Sequence, residues 1–372
     1  MNNSLKIRKN ILSKVDKVVI KVGTRLLVDD SFTKNLVAQI AYLRNKGINV
    51  ILVSSGAVGT GMNILKITKR PSRLSDIQAL AAIGQSYLMS QYNKYCTKYG
   101  FHAAQLLLTA DDLRNRERHV NIMNCINSLW ANGNLPIINE DDSVSVDELK
   151  VGDNDTLAAF VAVMTRTSLT ILLTTVDGLY TRLNGQLHER ISIVNSISET
   201  MKVDAMGTDD SAMSVGGMIT KLTAAEMVTS AGDSLIIADG RKDNILKQIF
   251  NYNDTGTLFV SMLGKNISAR KRWLTFFSRS CGKILVDSGA KNAIMNSGCS
   301  LLPSGINSIE GSFTRGDTVK ICNHSGKPFA KGLSNYSNSE LNKIIGCNTG
   351  DISGILGAGD DEVIHRNNLV LI

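Results

Sequence analysis

The most constraining feature of this chain is a series of short, almost wholly apolar runs, each breaking off into a polar or glycine-bearing segment. Lys17-Val-Val-Ile-Lys-Val22 ends at Gly23-Thr24, and Ile48-Asn-Val-Ile-Leu-Val53 stops at Ser54-Ser55-Gly56-Ala57. Leu135-Pro-Ile-Ile138 runs into Asn139-Glu-Asp-Asp142, Leu169-Thr-Ile-Leu-Leu173 into Thr174-Thr-Val-Asp-Gly178, and Ser234-Leu-Ile-Ile-Ala238 into Asp239-Gly240. A strand without polar alternation is buried on both faces, as parallel strands covered by helices are. Helical stretches near 33–46, 80–99, 155–165 and 220–231 fall between these runs. The alternation predicts an α/β domain, a mostly parallel sheet sandwiched by helices. Ligands in such sheets gather at the carboxyl ends of the strands, where the polar segments lie.

Beyond about Ser280 the texture changes. Short strands such as Gly282-Lys-Ile-Leu-Val286 and Val319-Lys-Ile-Cys322 alternate with turns at Gly289, Gly305, Gly311, Gly316 and Gly326, which predicts a small β-barrel-like or sandwich domain. The expected layout is a first domain over 1–264, a basic linker over 265–280 and a second domain over 281–372. The linker carries Lys265, Arg270, Lys271, Arg272 and Arg279 with no acid, interleaved with Trp273, Phe276 and Phe277. Two readings fit it: a stripe that contacts phosphates and stacks on bases, or a solvated linker whose aromatics dock into the core.

Composition excludes several classes. No apolar run approaches the length needed to span a bilayer. Residues 1–17 lack an apolar segment and cleavage site, so a short disordered start is expected rather than a secretion signal. The six cysteines are scattered without a C-x-x-C, and the five histidines show no metal spacing. Both fit a reduced, cytoplasmic protein with no protein-held metal.

Glycine-bearing turns at Lys21-Val-Gly23-Thr24, Ser54-Ser-Gly56-Ala57 and Gly216-Gly217-Met218-Ile219-Thr220-Lys221 are candidate phosphate cradles, because free backbone N–H groups favour anions there. Each one alone also reads as an ordinary turn. Lys21 stands out: a charge inside an apolar strand needs a partner. No P-loop signature is present, and Gly59-Thr-Gly61 lacks the third glycine of a dinucleotide fingerprint, with Ile64 in its place. Asn139 to Asp142 and Gly152-Asp-Asn-Asp-Thr156 form dense polar clusters. A helix N-cap explains one residue of the second cluster; Mg²⁺ binding, lysine orientation or capture of a substrate ammonium explains the group. Phosphate-holding glycines, two lysines and an acidic-amide cluster without a nucleophile–histidine pair suit phosphoryl transfer to an acceptor already ionised. A carboxylate acceptor needs no general base at neutral pH.

These segments, together with Ile83-Gly-Gln85 and Asp177-Gly-Leu-Tyr180, occur in an order that resembles the glutamate 5-kinase family, a branch of the amino-acid kinases. Gly282 through Asp287-Ser-Gly-Ala290, Ser300-Leu-Leu-Pro303 and Gly311-Ser-Phe-Thr-Arg-Gly-Asp317 look like the PUA domain that follows in that family. The resemblance implies ATP and L-glutamate as substrates, Mg²⁺ on the nucleotide, a place in proline synthesis with proline as feedback inhibitor, a homo-oligomer (dimer or tetramer), and RNA contact through the PUA-like domain. It implies that Lys21 and Lys221 stabilise the transferring phosphoryl group while Asp155 orients them. Ser55, Gly56, Asp142 and Asn154 would hold glutamate. Thr174, Thr175, Val215, Gly216, Gly217, Met218, Ile219 and Thr220 would line the ATP site with the lysines. Two positions depart from the pattern. Thr175 stands where an Asp is usual, and Val215 where a Thr is. Each lost bond costs about 0.5–1.5 kcal/mol if it is direct, which implies weaker ATP binding. Other readings remain open at this point: another amino-acid kinase, an RNA-binding protein, or a pseudokinase.

Overall fold

The apolar runs become strands of one sheet. The computed structural model describes residues 3–27, 29–144, 154–183, 186–206, 217–261 and 269–372, and it divides into two compact units between Asn266 and Ile267. The first unit holds β1 (Lys17–Val22), β2 (Asn49–Ser54), β3 (Ala103–Leu108), β4 (Leu135–Glu140), β5 (Leu169–Thr174), the hairpin β6 (Tyr180–Leu183) and β7 (Gln186–Arg190), β8 (Ile193–Val194), β9 (Ser234–Asp239) and β10 (Thr257–Phe259). Eight of them form a sheet in the order β3-β4-β2-β1-β5-β9-β10-β8, in which only the β9–β10 pairing is antiparallel. The parallel α/β expectation therefore holds. β3 and β10 escaped the sequence reading: Ala103-Ala-Gln-Leu-Leu-Leu108 has no β-branched residue and lies at the sheet edge, and β10 is three residues long.

The helices are α1 (Asn3–Leu12), α2 (Asp30–Asn45), α3 (Ala57–Ile64), α4 (Leu74–Cys96), α5 (Ala110–Arg114), α6 (Arg116–Ala131), α7 (Asn154–Thr165), α8 (Glu199–Met206), α9 (Met218–Ser230) and α10 (Ile245–Phe250). Alternation along β1 fixes the site. Val18, Ile20 and Val22 enter one apolar cluster with α2 residues Leu36, Val37 and Ile40. Val19 and Lys21 face the other way, toward the side where α7 and α9 pack against each other.

The amino terminus corrects the expectation of a disordered start. α1 is a helix whose Arg8 is fully buried. Arg8 Nη1 donates to Thr255 O at 3.0 Å, and Nη2 to Ser192 O at 2.9 Å and Gly256 O at 2.7 Å, with Asp254 3.2 Å away. A sequence pattern cannot show that carbonyls some 250 residues away will satisfy one arginine.

The second unit carries α11 (Ala269–Phe276), β11 (Gly282–Val286), α12 (Ser288–Ser297), β12 (Ile306–Gly311), β13 (Thr318–Cys322), β14 (Pro328–Leu333), α13 (Asn338–Ile344), α14 (Ile352–Leu356) and β15 (Leu369–Leu371). Its sheet runs β12-β11-β13-β14-β15, and only β11–β13 is parallel. In the basic segment, α11 packs on β14 and β15 within this unit, burying Trp273, Leu274 and Phe277. Residues 262–268 lie outside the described part.

Two glycines let α3 cross close over α4. A Cβ on Gly84 would stand 1.8 Å from Ala57 O, and one on Gly61 2.1 Å from Leu80 O. Helix propensity alone favours alanine at Gly84 by about 1 kcal/mol. The backbone clash outweighs it, because overpacking costs about 1–3 kcal/mol or more. Gly84→Ala is therefore expected to lower the denaturation midpoint; an unchanged or raised midpoint would contradict this packing.

Candidate active site

The carboxyl ends of β4, β2, β1, β5 and β9 lie side by side, with Lys21 opposite Val53 and Leu172, and Thr174 opposite Asp239. Three helices start on this edge, each with a distinct contribution. α3 is capped by Gly56, whose φ of +96° suits glycine and whose position offers no side-chain cap. α7 brings Asn154 and Asp155 in its first turn. α9 follows Gly217, again without a side-chain cap, and brings Lys221 in its first turn. Uncapped N-termini leave backbone N–H groups free for an anion.

The centre is an ion triad. Asp155 accepts from Lys21 Nζ at 2.6 Å through Oδ1 and from Lys221 Nζ at 2.9 Å through Oδ2. All three side chains are at least nine-tenths buried. Burial works to raise the Asp155 pKa, but the two ammonium groups outweigh it and hold the carboxyl below the usual range. Two cations on one anion leave a net positive charge in a poorly solvated place, beside a helix N-terminus that itself favours anions. Such a cluster contributes little to stability that apolar packing would not, and it is well suited to holding a phosphate.

Beside it lies an amide network. Asn154 Nδ2 donates to Ser55 Oγ at 2.7 Å and to Asn139 Oδ1 at 3.2 Å, while Asn139 Nδ2 donates to Gln85 Oε1 at 2.9 Å. Asn154 Oδ1 is buried without a hydrogen-bond partner among the described residues, which leaves it as a candidate acceptor. Asp142 is half-buried at the end of β4. Burial first, then the neighbouring Glu140, pushes its carboxyl up to about 6, with Arg70 opposing.

On the far side of β1, Arg241 chelates Asp239 through Nε and Nη2 and donates Nη2 to Thr175 O at 2.7 Å. Lys242 pairs with Asp177 at 3.2 Å, and Tyr180 donates to the same carboxylate at 2.6 Å. Two cations after β9 thus grip the loop after β5. Sequence reading missed Arg241 and Lys242; their only signal was the Asp239-Gly240 break just before them. Gly240 N donates to Thr174 O at 2.8 Å, and Thr220 Oγ1 donates to Gly217 O at 2.8 Å, closing the first turn of α9.

The structure thus brings Lys21, Asp155 and Lys221 together, and Ser55 with Asn154. Thr174 and Thr175 are positioned through backbone carbonyls. Met218 and Ile219 open α9 half-buried, and Ile219 O accepts from Thr223 Oγ1 at 3.0 Å. Val215 and Gly216, with Val151, Gly152 and Asp153, lie outside the described residues.

Comparison with known proteins agrees with the fold. Residues 16–239 match the amino acid kinase family, and residues 282–356 match the PUA domain. The chain is 42% identical over 365 residues to the glutamate 5-kinase of a Thermoanaerobacter species, covering 96% of this chain and 98% of the relative. It is 43% identical over 366 residues to that of Caldanaerobacter subterraneus, with coverage of 96% and 98%. With that of Citrifermentans bemidjiense it shares 42% identity over 375 residues, covering 98% and 100%.

Asp142 makes a pH prediction. Its folded pKa lies above the usual carboxylate value, so its ionisation opposes folding progressively as pH rises from about 4 to about 6. Asp142→Asn removes that penalty. The variant is expected to be more stable than the parent at pH 8, by about 1–3 kcal/mol, with the gain gone near pH 4. Unfolding midpoints at the two pH values check this; a gain of equal size at both would contradict it.

Proposed function

The chain belongs to the amino acid kinase family and, within it, to the glutamate 5-kinases; from that premise we propose that Lys21, Asp155 and Lys221 form its phosphoryl-transfer centre. The enzyme moves the γ-phosphoryl group of ATP to the side-chain carboxylate of L-glutamate, giving L-glutamyl 5-phosphate and ADP, the opening step of proline synthesis. The observation that carries the site assignment is the triad: two lysines from β1 and α9 held on one buried carboxylate from α7.

In this reading the acceptor carboxylate attacks the γ-phosphorus and the ADP oxygen departs. Charge spreads over the equatorial oxygens, and Lys21 and Lys221 neutralise it from fixed positions. Asp155 keeps the two ammonium groups a few ångströms apart against their mutual repulsion. No proton has to leave the acceptor, which accounts for a centre built of cations and amides. Ser55, Gly56 and Asn154 hold glutamate, with the unpartnered Asn154 Oδ1 and the Asp142 carboxylate facing its ammonium group. Thr174, Thr175 and the run Val215–Lys221 line the nucleotide site, where the α9 N-terminus meets phosphate. Among the described residues no three His, Cys, Asp or Glu side chains gather as a metal site. Mg²⁺ carried by the nucleotide would add charge neutralisation to that of the lysines.

Several finer points belong to the same proposal: feedback inhibition by proline, a homo-oligomeric assembly, a cytoplasmic location and RNA contact through the PUA domain. No helix among the described residues is long and apolar enough to cross a membrane. The RNA reading is supported by a row of lysines. Lys283 pairs with Lys320 across β11–β13, and Lys320 with Lys331 across β13–β14. Lys283 is already paired with Glu310 at 3.0 Å, so the like charges that a phosphate would relieve are chiefly Lys320 and Lys331. Kinetics with added proline, sedimentation, cell fractionation and filter binding at low salt read these points in turn.

The experiment that tests the activity is ADP release with ATP, Mg²⁺ and L-glutamate. Turnover is expected with glutamate, to be far slower with L-aspartate, and to fall at least about 100-fold in Lys221→Met. Equal turnover with aspartate would overturn the substrate assignment, and undiminished turnover in Lys221→Met would overturn the role of the triad.

A further inference from the structure

At the opposite edge of the sheet, by the amino ends of β2, β3 and β4, lies a cavity of about 260 Å³. It is as far along the strands from the phosphoryl-transfer centre as they allow. Tyr99, Phe101 and Trp130 supply aromatic walls, and Arg44 supplies the charge; no carboxylate lines the cavity. Trp130 is fixed in place by donating Nε1 to Val50 O at 3.1 Å.

Arg44 is the anomaly. Its guanidinium stacks on Phe101, with Cζ 3.9 Å from the ring centroid, and Nη2 donates to Gly133 O. Nη1 is buried and has no hydrogen-bond partner among the described residues. Burial lowers the Arg44 pKa without a carboxylate to compensate it. A half-buried guanidinium with one buried, unmet donor favours an anion beside it. A planar fork also prefers a planar, two-oxygen acceptor. The walls favour a flat, apolar body.

We propose that this cavity is a second ligand site that binds a small planar carboxylate, its ring against Phe101 and Trp130 and its carboxylate on Arg44. The volume suits a molecule of about one ring rather than a nucleotide. The site is separate from the kinase centre and does not rest on the reaction assigned there.

Benzoate is the minimal probe, benzamide its uncharged counterpart, and the fluorescence of Trp130 in the full chain the readout. Benzoate is expected to change the emission saturably, and benzamide to bind at least about tenfold more weakly. Trp130→Phe should remove the signal while benzoate still raises the melting temperature. Arg44→Met should abolish benzoate binding and leave glutamate-dependent ADP release intact. Because Arg44 also supports Gly133, Arg44→Lys is the second variant: it keeps the charge without the fork and should bind benzoate more weakly than the parent. No benzoate binding to the parent, equal binding of benzamide, or undiminished binding in either Arg44 variant would overturn the proposal.

Discussion

A single buried carboxylate organises the kinase unit. Asp155 sits in the first turn of α7 and draws in one lysine from the middle strands of the sheet and one from α9. Neither lysine would be tolerated there alone, since an unpaired charge in that surrounding is costly. Two lysines without the aspartate would repel each other. The triad is stable as a unit yet keeps an excess positive charge, and that excess lets a fold built on apolar strands present a reactive, anion-seeking centre.

The rest of the unit serves to bring three elements to one point. Parallel pairing aligns the carboxyl ends of β4, β2, β1, β5 and β9, so segments distant in sequence share one edge. Gly61 and Gly84 let α3 and α4 cross closely, which places the Ser54–Gly56 turn and Gln85 around Asn139 and Asn154. On the other side, Arg241 and Lys242 tie down the loop after β5 through Thr175 O and Asp177. Packing therefore sets where the residues proposed to hold substrate stand.

Much of this was legible in the sequence because the signals were local. Apolar runs ending in glycine or acid gave the parallel strands, and a lysine inside such a run marked Lys21 as needing a partner. The local pattern alone did not name that partner, since a helix N-cap explains one residue of the Asp153-Asn154-Asp155 cluster; the family resemblance is what implied that Asp155 orients the lysines. Gly59-Thr-Gly61 looked like a failed dinucleotide fingerprint, whereas Gly61 serves helix contact. Arg8 was missed because most of its partners are distant backbone carbonyls, which no residue pattern reveals; the grip of Arg241 on Thr175 O is hidden in the same way, although its carboxylate partner Asp239 is only two residues away. The aromatics of the basic segment after residue 268 proved to be buried in the second unit, which the sequence had left open between two readings.

The most direct test of the central claim is steady-state kinetics of Asp155→Asn beside the parent enzyme, with folding confirmed by thermal melting. The substitution keeps size but removes the charge that holds Lys21 and Lys221 together and turns one of the two accepting oxygens into a donor. The account predicts a fall in kcat of about 100-fold or more with a much smaller change in the KM for glutamate. A folded variant with kcat within about twofold of the parent would contradict it.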